Sequence, residues 1–129
     1  MEERALILDT GAVLAIMRRD KVVRALLASA QRRGILLVVP PVVVTQVIRG
    51  GPRDAEANRL FESVYLSFTG ARVARAAGSL LAVSGLSDAA DAQIVAEAQR
   101  LAPSVIMTSD PDDIRLLAST LRGVRVIVI

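Results

Sequence analysis

Four aspartates stand where a compact chain should least want them, and this constrains the fold more than any other feature. Asp9 closes the apolar run Ala5-Leu6-Ile7-Leu8, Asp91 falls on the apolar side of a helical pattern, and Asp110 and Asp113 follow Val105-Ile106-Met107-Thr108. A carboxylate withdrawn from water is costly unless it is paired or bound to a metal, so acids at the ends of buried strands converge on something positive. The pattern reads as a divalent-metal site.

Composition removes most other chemistries. The chain has no cysteine and no histidine, which excludes disulfides, thiol nucleophiles, Cys/His zinc sites, haem and Ser-His catalysis. Carboxylate, hydroxyl and Arg/Lys chemistry remain. The length of 129 residues predicts one domain, residues 1–129, able to bury most of its apolar surface. No basic-then-apolar leader pattern opens the chain, and the apolar stretches fall far short of the roughly 18 residues that span a bilayer. A cytoplasmic protein without a membrane span is expected. A mean hydropathy of +0.48 points to a dimer or a bound partner as cover for surplus apolar surface.

The net charge is +3, and of the 16 basic residues only Lys21 is a lysine. With five acids assigned to the proposed site, the remaining surface is basic. Arg18, Arg19, Lys21, Arg24, Arg32 and Arg33 suit a polyanion, because a guanidinium fork matches phosphate oxygens; a solvated arginine-rich face is the competing account. Phe61, Tyr65 and Phe68 are the only aromatics. Recognition by base stacking is therefore not expected.

Runs with strand character alternate with helix-period segments. Strands are expected at Ala5 to Leu8, Ile35 to Val39, Val64 to Ser67, Ser104 to Thr108 and Val124 to Ile129. Helices are expected from Val13 to Arg33, ending at Gly34; over Val42 to Ile48, stopped by Gly50-Gly51; over Asp54 to Phe61 and Ala71 to Val83; from a Ser87 cap to Leu101; and from Pro111 to Leu121. Such alternation implies a parallel α/β sheet covered on both faces.

That architecture locates the acids. Ligands bind beyond the carboxyl ends of strands in open α/β sheets, where Asp9 and Asp110 lie. Ile94, Val95 and Ala98 place Asp91 on the inward helix face, with Asp88 one turn earlier. Asp88 has a structural alternative, because acids in a first turn offset the helix dipole. Asp112, beside Pro111, reads as a turn acid. Carboxylates clustered without His or Cys suit Mg²⁺ or Mn²⁺, and with them phosphodiester hydrolysis by activated water.

The ordered segments Leu8-Asp9-Thr10 with Val13-Leu14-Ala15, Gln46-Val47-Ile48-Arg49-Gly50-Gly51, Asp88-Ala89-Ala90-Asp91-Ala92 and Thr108-Ser109-Asp110-Pro111-Asp112-Asp113-Ile114 together resemble the motifs of PIN-domain ribonucleases. Within that superfamily the chain resembles the toxins of VapBC toxin–antitoxin pairs. The resemblance spans nearly the whole chain and implies a three-layer α/β/α sandwich with a five-stranded parallel sheet. It further implies a Mg²⁺- or Mn²⁺-dependent endoribonuclease acting on structured tRNA or rRNA, a homodimer, and a VapB-type antitoxin. Carried over residue by residue, Asp9, Asp91 and Asp110 match the acidic ligands and Asp113 a further acid. Thr10 and Thr108 match supporting hydroxyls, and Arg49, Arg18 and Arg19 are the candidates for RNA contact.

One position departs from the pattern. Where most of the family has Glu, this chain has Gln46, which keeps an oxygen but loses a charge. Compensation by Asp88, one turn from Asp91, is the favoured account. The others are a Gln46 that hydrogen-bonds a metal-bound water, and a weakened, non-catalytic PIN-like module that binds RNA or protein. Leu8-Asp9-Thr10-Gly11-Ala12 also matches the local signature of retroviral-type aspartic proteases, but the Ala-rich helical segments oppose that nearly all-β fold. A receiver-type domain needs a late lysine, and Lys21 is the only lysine.

Overall fold

The computed structural model describes residues 2–129. The strands are β1 (Ala5–Leu8), β2 (Leu36–Val39), β3 (Tyr65–Leu66), β4 (Ser104–Thr108) and β5 (Val124–Val128). The helices are α1 (Thr10–Met17), α2 (Lys21–Arg32), α3 (Pro41–Val47), α4 (Asp54–Ser63), α5 (Ala71–Ser84), α6 (Ala89–Arg100) and α7 (Pro111–Ala118). All strand pairs are parallel, in the order β3-β2-β1-β4-β5. The five-stranded parallel sheet expected from the alternation is therefore present.

Every residue of β1 and β4 is buried, as continuous apolar runs in the middle of a parallel sheet require. Their register sets Leu8 against Met107. Helix α6 packs on β1 and β4, α2 on β2, and α7 on β5. The edges are less covered: β3 has only two residues, both exposed, and β5 alternates between half-buried and exposed positions. Among the described residues no helix is long and apolar enough to cross a membrane.

Three helix boundaries correct the sequence expectations. The long helix from Val13 to Arg33 is two helices, α1 and α2. Arg19 adopts a left-handed backbone (φ 61), and the carboxylate of Asp20 caps α2 by accepting from the Val23 amide at 3.0 Å. Apolar periodicity on either side of a short break looks continuous, which hid the cap. Helix α7 ends at Ala118, three residues short of the expected Leu121, whereas α3 agrees with the expected Val42 to Ile48 to within one residue at each end. The cap of α6 is Asp88, whose side chain accepts from the Asp91 amide; Ser87 is one residue too early.

Asp20→Ala should lower stability by about 1 kcal/mol, the usual worth of a capping side chain. Urea denaturation would show it as a lower midpoint with an unchanged slope.

Candidate metal centre

From β1 the chain crosses toward one edge through β2 to β3, then returns to β4 and continues outward to β5. The reversal lies between β1 and β4, where the carboxyl ends of a parallel sheet leave a crevice. Asp9 leaves β1 there, and Ser109-Asp110 leaves β4.

Three helices begin at this crevice. Asp9 occupies the N-cap position of α1, Asp88 that of α6 and Asp110 that of α7. Asp91 and Asp113 are the third residues of α6 and α7. Five carboxylates thus lie at helix N-termini, whose partial positive charge is the least costly place for them. The Asp9 side chain is 7% exposed and accepts from the Ala12 amide at 2.9 Å. That of Asp88 accepts from the Asp91 amide at 3.0 Å. Asp110 makes no capping bond with its side chain, and its own amide donates to the buried Thr108 hydroxyl at 3.0 Å.

The acids form two overlapping groups. Asp9, Asp88, Asp91 and Asp110 line one cavity of about 420 Å³ together with Thr10, Gln46, Arg49 and Ser109. Asp88, Asp91 and Asp113 each offer an oxygen, and these lie within 4.8 Å of one another. Asp91 belongs to both groups. Among the described residues none of the five forms an ion pair. The Arg49 guanidinium, which reaches the cavity wall, donates to the carbonyls of Thr45 and Ile48 at 3.2 and 2.9 Å.

The remaining candidates are placed differently. The Thr10 hydroxyl donates to the side-chain oxygen of Gln46, tying α1 to α3. Thr108, the last residue of β4, is fully buried, and its hydroxyl accepts from the Asp110 amide. Arg18 borders a neighbouring hollow with Leu14 and Arg53. Arg19 lies farther off, paired with Glu56 at 3.2 Å. Ser109 and Gly11 were not anticipated from the sequence. A Cβ on Gly11 would stand 1.9 Å from the Ser109 hydroxyl, so the missing side chain admits Ser109 to the wall. The Gly after Asp9-Thr10 was a visible signal, but its partner lies far along the chain, just beyond β4.

Burial and neighbouring charge raise two of the acids, Asp91 and Asp9. The Asp91 carboxyl is pushed from 3.8 to about 7, first by burial and then by the charges of Asp88, Asp113, Asp9 and Asp110. Burial also raises Asp9, against hydrogen bonds from Thr108 and the Ala12 amide. Asp91 and the carboxylates around it are an all-oxygen donor set that a hard divalent cation would satisfy. The residues present fit such an ion.

No protein-family model matches the sequence, and no curated protein matches it. Solved structures do match in fold. A chain of the VapBC2 complex from Rickettsia felis, bound to a DNA fragment from its promoter, has a TM-score of 0.75 at 9% identity, with 97% of this chain and 98% of that chain covered. A chain of DNA-bound VapBC from Salmonella typhimurium has a TM-score of 0.72 at 15% identity, covering 99% and 98%. A toxin–antitoxin complex from Klebsiella pneumoniae has a TM-score of 0.71 at 16% identity, covering 92% and 94%. The fold is PIN-like. At these identities the likeness is one of fold, and the α/β/α sandwich with a five-stranded parallel sheet agrees with the sequence expectation.

A prediction follows from the raised carboxyls. A group whose folded pKa exceeds its unfolded value stabilises the fold fully below the unfolded value, and that contribution is lost as pH rises through the folded one. For Asp91 the window runs from 3.8 to about 7. Metal-free protein should therefore lose stability as pH rises across it, Asp91→Asn should flatten most of the slope, and a divalent cation should restore stability at the upper end. Thermal denaturation with EDTA and with Mn²⁺ checks each point.

Proposed function

We propose that this chain is a metal-dependent endoribonuclease, the toxin of a toxin–antitoxin pair. The observation that carries this reading is the convergence of Asp9, Asp88, Asp91, Asp110 and Asp113 on one crevice, none of them in an ion pair among the described residues. The likeness in fold to chains of VapBC complexes supports it. Asp9, Asp91 and Asp110 hold the metal, Mg²⁺ or Mn²⁺, with Asp88 and Asp113 assisting. Bound there, such an ion supplies neutralisation of phosphodiester charge and activation of water. Thr108 holds the loop of Asp110 in place, and Arg49 is the cation at the cavity wall suited to a phosphate. Structured RNA is the substrate, and a VapB-type antitoxin is the partner that masks the site. Exposed Phe68, Val83 and Val22 support a covered surface of the kind a homodimer provides.

A PIN-like module that binds RNA or protein without cleaving it is the second reading. It rests on Gln46, a neutral side chain in the wall of the acidic cavity.

Incubating total RNA with antitoxin-free protein separates the two. Discrete products are expected with Mg²⁺ or Mn²⁺ and none with EDTA. Asp91→Asn should lower the rate roughly a hundredfold or more, given the several kcal/mol that a metal contributes to such reactions. No cleavage by folded protein in either metal would select the binding module.

A further inference from the structure

We infer that Gln46 is a hydrogen-bond donor to the substrate's phosphodiester oxygens and is not a metal ligand. The inference rests on the nuclease reading above and assigns a role at the same site. Gln46 lines the acidic cavity beside Asp9, Asp91 and Asp110. Its side-chain oxygen accepts the hydroxyl hydrogen of Thr10, the first residue of α1. The hydroxyl takes one of the oxygen's two lone pairs and turns that end of the amide toward α1, while among the described residues neither N–H of the NH₂ has a partner, so the NH₂ is the end left for a ligand. An NH₂ cannot coordinate a hard cation, but it does bind an anionic oxygen.

The electrostatics of the cavity favour the same assignment. Four carboxylates share its wall, and Arg49 is its only cationic residue. A fifth negative charge would repel a phosphodiester, whereas a neutral donor lowers that repulsion and adds a charge-assisted bond. Position 46 then contributes to holding the polyanion, while the acids hold the metal.

Two binding measurements on the intact protein test this, with variants at an exposed position that carries no core packing. Mn²⁺ affinity is read by calorimetry. Affinity for an octathymidylate DNA, a phosphodiester that lacks the 2′-hydroxyl, is read in Mn²⁺ by fluorescence anisotropy. Gln46→Leu should leave Mn²⁺ affinity unchanged and weaken the oligonucleotide roughly tenfold, the worth of one hydrogen bond to a charged group. Gln46→Glu should tighten Mn²⁺ and weaken the oligonucleotide. A tenfold or greater loss of Mn²⁺ affinity in Gln46→Leu, roughly the loss of a ligand, would make Gln46 a metal ligand and overturn the inference alone. Unchanged oligonucleotide affinity in Gln46→Leu would also overturn it. A native protein that binds no Mn²⁺ would overturn the nuclease reading, and this inference with it.

Discussion

Repulsion among five carboxylates is the constraint on which the rest of this molecule turns. Left alone, such a cluster would expand into water. It is held because β1 and β4 are buried along their whole length and because three helices, α1, α6 and α7, point their N-termini at it. Helix dipoles and backbone amides offset part of the repulsion. They do not offset all of it: burial first, and then the neighbouring charges, raise the Asp91 carboxyl to about 7. The unbalanced remainder is the physical basis for a cation there. The acids are therefore a local liability for the free protein, made tolerable by capping.

A second buried acid on α6 shows that inward position alone does not make a site. Glu97 is fully buried, yet it accepts from Arg100 through two nitrogens, at 3.0 and 2.5 Å. Its charge is met within its own helix by a partly exposed guanidinium. Asp91 has no such partner. What separates the two is the supply of counter-charge, and sequence spacing shows it for Glu97 and Arg100 because they lie three apart on one helix.

Much of the architecture was legible because its signals are local. The apolar runs of β1 and β4 have the expected bounds, and Pro41 opens α3 as a proline at the first helical position does. The failures were equally physical. The break between α1 and α2 depends on the left-handed Arg19 and the Asp20 cap, which a continuous apolar pattern conceals. For the site, Asp9, Asp91 and Asp110 stood out because each interrupts an apolar pattern. Asp88 had a structural reading as well, and the structure supports it as a cap while placing it with Asp91 and Asp113.

By itself the sequence determined the fold class, the absence of any thiol or imidazole chemistry, and the oxygen-rich character of the site, because composition and hydrophobic period are properties of single residues and their neighbours. Only the tertiary structure decided which acids meet, since Asp9, Asp91 and Asp110 come from three segments joined by strand order alone. It likewise decided that Arg49 reaches the cavity while Arg18 and Arg19 border other surfaces. The orientation of Gln46 belongs here too, because a hydroxyl on α1 turns its amide. Such assignments depend on distances between remote residues, and those are set by how the sheet closes and the helices pack.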